Sequence, residues 1–225
     1  AMAAQRTAAR QVIARCRLAG KKIVAGGPLF TSERESFPEV DHFVLNEAEI
    51  TLPLFLADLE KGQPERVYAS SEFANMEKTP IPRWDLLDMK AYFAMSAQWS
   101  RGCPFQCEFC DVARLFGHRS RVKTARQMID ELDSLRAAGW RGKVFIVDDN
   151  LVGNKKNLKA ELLPALVAWQ RKMNYRVPFF TEASINLAQD GELVNSLVAA
   201  GFESVFVGIE TPDQAALLEC KKTQN

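Results

Sequence analysis

Trp99-Ser100-Arg101-Gly102-Cys103-Pro104-Phe105-Gln106-Cys107-Glu108-Phe109-Cys110 places three thiols within eight residues, directly after an apolar run, Phe93–Trp99, that reads as a β-strand. The other two cysteines, Cys16 and Cys220, stand far away in stretches of helical spacing, where a free thiol behaves as a small buried apolar group. A secreted disulfide framework spreads an even number of cysteines along the chain. Five cysteines with three crowded together point to a metal instead. Thiolates are soft ligands suited to zinc or to iron–sulfur clusters. A structural zinc site closes with four ligands, and His118 is the nearest candidate for the fourth. An all-cysteine cube wants a fourth cysteine nearby, and none follows before Cys220. Three thiolates can instead hold three irons of a 4Fe–4S cube and leave the fourth open, as a catalytic zinc keeps one open position. Both a zinc knuckle and an open cube satisfy this spacing.

Outward from the thiols the chain is regular. Strands are expected at Phe93–Trp99, Val144–Val147, Phe179–Ala183 and Val205–Ile209, with helices over 124–138, 155–173, 189–200 and 212–222. Thr124 and Gln127 have the spacing of a capping box, Met128, Leu132 and Leu135 follow at helical intervals, and Gly139 ends that helix. Pro164 should kink the second helix or displace its start. Alternating strands and helices imply a parallel sheet covered by helices. Residues 93–225 hold four such units, at about 33 residues each. A full eight-unit barrel needs roughly 250 residues, so a barrel reading expects further chain beyond the fourth unit.

The run C-x3-C-x2-C with an aromatic residue, Phe109, before its last cysteine resembles the signature of the radical S-adenosylmethionine (SAM) superfamily. The resemblance implies that Cys103, Cys107 and Cys110 bind a 4Fe–4S cluster and that SAM chelates the open iron. One electron from the cluster would then cleave the sulfonium and yield a 5′-deoxyadenosyl radical. The implied fold is α/β, a partial (β/α)6 barrel of which residues 93–225 supply the first four units, with its site at the C-terminal strand ends. Asp148-Asp149-Asn150 closes the second strand, where that family carries a Gly-Gly-Glu-like motif for the methionyl ammonium. No glycine pair stands here, so Asp148 and Asp149 match by position and charge; the same triplet also reads as a turn. Glu182 and Ser184 end the third strand and Glu210 the fourth, placed to meet ribose or the methionyl group, although either glutamate also suits the start of a helix. Phe109 is expected beside the adenine, or else in the core.

Residues 1–62 carry a second resemblance. Lys21-Lys22-Ile23-Val24-Ala25-Gly26-Gly27-Pro28 is similar to a late strand and Gly-Gly turn of Rossmann-like cobalamin-binding domains, of which 1–62 would be the C-terminal part. A helix over 3–19 precedes it, a strand at His42–Leu45 follows, and Asn46-Glu47-Ala48-Glu49 opens a helix from about Glu47 to Lys61. In this likeness Gly26 and Gly27 let the backbone approach the cofactor's nucleotide tail, where a Cβ would intrude. Asn-Glu-Ala-Glu resembles a Gly-Glu-Gly-Glu-like turn with both glycines replaced. The Asp-x-His-x-x-Gly segment of such domains is absent, and His42 and His118 stand in other contexts, so cobalamin is expected of the full-length protein rather than of this stretch alone. A proline-containing linker is expected over 63–92, with Pro64, Pro80 and Pro82 among polar residues.

Over roughly 20–225 the chain looks like a group of cobalamin-binding radical SAM proteins that includes a hopanoid-lipid methylase, carried by CEFCDVARLFG, VFIVDDNLVGN, TEASINLA and VFVGIETP. This implies methyl transfer to an unactivated carbon of a small-molecule or lipid-like substrate. Cyclisation, rearrangement or methylthiolation by the same radical, and a zinc-stabilised binding module, stand as alternatives. An external electron donor such as flavodoxin or ferredoxin is implied too. Lys and Arg total 29 against 28 Asp and Glu, a net charge of +1, without the basic excess of a nucleic-acid binder. A hydrophobic fraction of 47% and a charged fraction of 25% exclude wholesale disorder. No apolar run has the ~18 residues of a membrane span and the N-terminal stretch lacks a signal-peptide core, so a cytoplasmic protein is expected. Arg114, Arg119, Arg121 and Lys123 make a basic stretch after the thiol loop, either a solvated face or a contact for an anionic partner.

Overall fold

Strands separated by a helix pair in parallel, because the crossover returns the chain to the same end of the sheet. Both compact units of this chain, Ala1–Ala74 and Asn75–Asn225, are built that way. The structure is a computed structural model and describes residues 1–173 and 177–225.

In the first unit β1 (Val24–Gly26), β2 (His42–Val44) and β3 (Val67–Tyr68) form a parallel sheet in that order. Around it lie α1 (Arg6–Leu18), α2 (Pro28–Glu33) and α3 (Ala48–Glu60). Ile13, Leu29, Phe30, Phe37, Val40 and Phe43 make its core, with the Phe30 and Phe37 rings edge to face at 4.9 Å. Cys16 packs against this cluster as an ordinary helix residue. β3 lies inside the stretch expected to be linker. Pro64 bars a helix there but not an edge strand, and the Tyr68 hydroxyl anchors it, donating to Asp58 at 3.1 Å and accepting from the Glu65 amide at 2.7 Å.

The second unit begins with short 3-10 turns up to Met89–Ala91. Strand β4 (Ala94–Ala97) follows, then β5 (Ser100–Arg101) and β6 (Arg121–Val122), which pair with each other antiparallel. Strands β7 (Lys143–Ile146), β8 (Phe179–Glu182) and β9 (Phe202–Phe206) complete a four-stranded parallel sheet in the order β4-β7-β8-β9. Its helices are α4 (Val112–Phe116), α5 (Ala125–Ala137), α6 (Lys155–Asn157), α7 (Leu163–Gln170), α8 (Gly191–Ala200) and α9 (Gln214–Glu219). Met95 and Ala97, Val144 and Ile146, and Phe179 alternate along the strands toward Met128, Leu132 and Leu135 of α5, Leu166 of α7 and Leu197 of α8. The intervening residues point the other way, and there the half-buried rings of Phe145 and Phe180 stack at 4.8 Å, 4° from parallel. Sequential parallel strands with helices along one face are the arrangement that consecutive units of a (β/α) barrel share.

Local chemistry explains the element boundaries. Thr124 Oγ1 accepts from the Gln127 amide at 3.2 Å while Gln127 Oε1 accepts from the Thr124 amide at 3.0 Å, so the expected capping box starts α5. Pro164 does not kink one long helix. Leu158–Leu162 form a π-helical turn before it, and α7 restarts with the proline in its first turn, where its missing N–H costs nothing. The fourth strand starts three residues earlier than expected, because Gly201 (φ 105°) ends α8 in the left-handed region and turns the chain straight into Phe202. Gly208-Ile209-Glu210 consequently lies beyond β9, with Glu210 itself at φ 65°. No helix among the described residues is long and apolar enough to cross a membrane.

Lys123 and Glu131 form an ion pair of 2.6 Å with both side chains only 4% exposed, fastening β6 to α5. Burial pushes the Glu131 carboxyl up and the Lys123 charge pulls it back. Lys123→Met strands a buried carboxylate and should cost about 3–5 kcal/mol, whereas adding Glu131→Leu should restore most of the loss. Urea unfolding midpoints of the three proteins check this, and an equal deficit in single and double variants would contradict it.

Candidate cluster and cofactor site

Asp148, two residues beyond the end of β7, is 1% exposed, and donors from the β5 side satisfy its carboxylate. The Trp99 amide reaches Oδ1 at 2.7 Å, and the Ser100 amide and hydroxyl reach Oδ2 at 2.8 and 2.6 Å. Burial outweighs these bonds and pushes its pKa up to about 6. Asp148, read from the sequence as a cofactor contact, therefore sits inside the protein and fixes where the thiol loop leaves the sheet. Trp99 packs rather than lining an opening: it is 1% exposed and its indole donates to the Lys123 carbonyl at 2.9 Å.

Gly102 turns the chain from β5 into the loop. It has φ 94°, and a Cβ there would lie 2.6 Å from the Arg119 carbonyl oxygen and 2.8 Å from that of Phe116. The Cys103 amide donates to the Gly117 carbonyl at 3.2 Å, so the loop base rests on the turn after α4. Cys103 and Cys107 are half-buried and Cys110 is exposed. Burial raises the Cys103 thiol, offset by hydrogen bonds from the Phe105 amide and the Asn150 side chain, while Cys110 and Asp149 raise it further. Among the described residues no three His, Cys, Asp or Glu side chains converge as ligands of one metal ion. The thiolates of a cube bind separate irons and need not meet at one point.

Asp149 differs from its neighbour. The Gly102 amide donates to its carboxylate, yet Oδ2 is buried without a hydrogen-bond partner, a costly state for a carboxylate oxygen. Burial raises its pKa, and its charge adds to the burial that raises Glu182 at the end of β8. An unsatisfied buried acceptor beside a second carboxylate and Cys103 suits a cationic donor such as an ammonium. Asn150, not singled out by the sequence, is 3% exposed and joins the strand ends. Its Oδ1 accepts from the Ser184 amide at 3.1 Å, its Nδ2 donates to Ser184 Oγ at 3.1 Å, and Nδ2 lies 4.0 Å from Cys103 Sγ.

The segment 220–225 also packs on the thiol loop. Lys222 is 7% exposed, holds Glu210 at 3.1 Å, and lies 5.6 Å from the centroid of the Phe109 ring. Phe109 is 59% exposed, so it does not belong to the core, the other reading its sequence allows. Glu210 faces a lysine rather than an open site. Cys220 is half-buried, and its carbonyl accepts from the Glu108 amide at 2.9 Å. The basic stretch is no single face: Lys123 is buried with Glu131, Arg114 pairs with Asp111 at 3.0 Å, and Arg121 donates to the Phe116 carbonyl at 3.1 Å.

In the first unit the Gly-Gly turn has its own reasons. A Cβ on Gly26 would lie 2.4 Å from the Val44 carbonyl oxygen, and Gly27 (φ 95°) faces the Ala1 backbone with its Cβ position 2.8 Å from the Ala1 nitrogen. Asn46 takes φ 62°, which explains why an asparagine can stand where the similar turns carry glycine. Glu47 is buried, and its Oε2 accepts from the Ala74 amide at 2.5 Å.

Residues 98–225 match the Radical SAM superfamily. The chain is 48% identical over 208 residues to a Synechocystis sp. protein named as an uncharacterized methyltransferase, covering 92% of this chain and 39% of that one. It is 37% identical over 207 residues to the hopanoid C-2 methylase of Rhodopseudomonas palustris, covering 90% of this chain and 39% of the methylase. It therefore spans about two fifths of the length of these curated relatives. The structure of the cobalamin-dependent SAM radical enzyme OxsB with aqua-cobalamin and SAM bound superposes with a TM-score of 0.76 at 18% identity, over 98% of this chain and 37% of that chain. That likeness establishes the shared fold.

The Asp148 anchor has a pH signature. Its folded pKa, about 6, lies above the ordinary carboxylate value of 3.8, so the folded protein takes up this proton first as pH falls. Its contribution to stability is thus fullest below about 4 and declines as pH rises through 6. Asp148→Asn removes that dependence and turns an amide donor toward backbone donors, costing about 1–3 kcal/mol at pH 7. Urea midpoints should show the variant's deficit widening from pH 7 to pH 4.5; a deficit that narrows would contradict the assignment.

Proposed function

The chain belongs to the radical SAM superfamily, and from that premise we propose that the full-length protein is a cobalamin-dependent radical SAM methyltransferase acting on an unactivated carbon of a small-molecule or lipid-like substrate. Cys103, Cys107 and Cys110 hold its 4Fe–4S cluster in this reading. The observation that carries the proposal is the buried, unpartnered Oδ2 of Asp149 at the strand ends beside Cys103. A cluster loop with an adjacent acceptor for a primary ammonium has the donor set that a methionyl group on an open iron requires.

The residues divide the work as follows. Asp149 receives the methionyl ammonium, and Glu182 adds negative charge next to it. Asn150 holds Ser184 just beyond the end of β8, and the serine hydroxyl, which donates to Asn186 Oδ1 at 2.8 Å, would accept from the ammonium or a ribose hydroxyl. The exposed ring of Phe109 offers a surface for the adenine, with Lys222 on its other side. Lys222 also takes up the charge of Glu210, whereas Asp149 keeps one oxygen without a hydrogen-bond partner although the Arg101 charge lies near it. With cluster and SAM bound, one-electron reduction supplies a 5′-deoxyadenosyl radical; the protein's part is to orient the groups and exclude water.

Cobalamin enters by likeness to OxsB, whose structure contains it. The Gly26–Gly27 turn is the stretch of this chain nearest to that role in pattern. The Val44 carbonyl accounts for Gly26 and the left-handed backbone, φ 95°, for Gly27, so neither glycine needs a cofactor to explain it. An external one-electron donor, of the flavodoxin or ferredoxin class, completes the reaction.

Anaerobic purification of the full-length protein should yield about four irons with matching sulfide, and each of Cys103→Ala, Cys107→Ala and Cys110→Ala should lose the cluster. Reduced protein with SAM should release 5′-deoxyadenosine. One bound zinc and no iron would end the proposal. Asp149→Asn should retain the cluster and weaken SAM binding about tenfold, close to 1.4 kcal/mol, in equilibrium titration; unchanged affinity would remove Asp149 from the ammonium site.

A further inference from the structure

Residues 220–224 meet the thiol loop along its length. The Cys220 carbonyl takes the Glu108 amide, Lys221 pairs with the Glu108 carboxylate at 2.6 Å, and Gln224 Nε2 lies 3.3 Å from Cys107 Sγ. The last contact belongs to none of the roles above. Gln224 is half-buried, and its Oε1 is buried with no partner. The orientation that points N–H at sulfur is the chemically sensible one, because a thiolate accepts and does not donate.

We propose that Gln224 donates a hydrogen bond to the cluster-bound thiolate of Cys107 and thereby raises the reduction potential of the cluster. This rests on the reading that Cys107 is a cluster ligand. Reduction adds one electron to the cube, taking it from the 2+ to the 1+ state, and that electron comes from an external low-potential donor. Part of the added negative charge resides on the thiolate sulfurs. An N–H dipole aimed at one of them stabilises the reduced form more than the oxidised form, and hydrogen bonds to sulfur are among the means by which a protein sets cluster potentials. The site strengthens the effect, since the amide is half-buried and water competes less for the sulfur. Cys103 has a weaker counterpart in Asn150 at 4.0 Å, so the effect concentrates at Cys107. The backbone bond from Glu108 to Cys220 fixes the segment independently of the glutamine side chain. Gln224 is thus a positioning residue for electrons: it acts through the cluster without touching substrate.

The test is a potentiometric titration of the full-length, anaerobically reconstituted protein, with dithionite as reductant and the reduced cluster followed by electron paramagnetic resonance. Gln224→Leu deletes the donor, and Gln224→Glu replaces it with a near-isostere that cannot donate when ionised. Both should shift the reduction equilibrium about tenfold against the reduced state, a fall of roughly 59 mV for a one-electron couple. Lys221→Ala removes the exposed ion pair with Glu108 but leaves the sulfur contact, and should stay near the wild-type potential. Unchanged potentials in both glutamine variants overturn the proposal. So does an equal shift in Lys221→Ala, which would assign the effect to loop docking, and so does loss of the cluster in both glutamine variants, which would make Gln224 a requirement for binding. Absence of a cluster from the wild-type protein would instead defeat the assignment of Cys107, a separate result.

Discussion

The contact between the Asp148 carboxylate and the Trp99–Ser100 backbone is the constraint on which the site depends. It joins the C-terminal end of β7 to the exit of the neighbouring strand, so the thiol loop leaves the sheet at one height and in one direction. A carboxylate is suited to the task because it accepts several bonds at once. Two converging backbone N–H groups and a hydroxyl would otherwise be buried without partners. Burial makes the arrangement electrostatically unfavourable for a charged group, as the raised pKa records. The fold tolerates that cost at the point where loop geometry has to be fixed.

From this anchor the adjacent residues acquire different tasks. Asp149 follows in the bend beyond β7, where the Gly102 amide takes its carboxylate to the base of the thiol loop. Asn150 then reaches across to Ser184 and ties β7 to β8. Three consecutive polar residues thus fasten the loop, keep one carboxylate oxygen without a partner and brace the next strand. Glycine at 102 is needed for a physical reason: its left-handed backbone lies against carbonyls of the 116–119 turn, and no side chain fits between them.

Much of this was legible in the sequence, where local rules govern. The capping box at Thr124, the alternation that buries Val144 and Ile146, and the spacing of Cys103, Cys107 and Cys110 are short-range signals that tertiary structure leaves intact. Signals that depend on which side chains meet in the folded chain are read less well. Asp148 and Asp149 look alike in one dimension, and only the neighbouring strand decides which is buried. Lys123 looks like part of a basic run until Glu131, eight residues on, turns it inward. The fourth strand was placed late because Val205–Ile209 is the more continuous apolar stretch. The left-handed turn at Gly201 instead begins pairing at Phe202, with an irregular register against β8 around Phe179 and Phe180. Gln224 gives no local signal, since Cys107 lies 117 residues away, and neither does the placement of Lys222 over the distant Phe109 ring.

The charges around the loop also explain why this arrangement calls for cations. Cys103 lies near Asp149, which in turn lies near Glu182, and burial raises the proton affinity of all three. Protonated, the thiols are poor ligands; deprotonated, they would crowd negative charge into a half-buried site. Arg101 relieves this in part by pulling the Asp149 carboxyl down, while the charge of Lys222 is engaged with Glu210. Metal loading resolves the conflict by replacing thiol protons with iron, and an ammonium at Asp149 would supply the remaining positive charge. On the proposed reading, cluster assembly and binding of a cationic cofactor would support each other through the same charges, with Asp149 as the residue common to both.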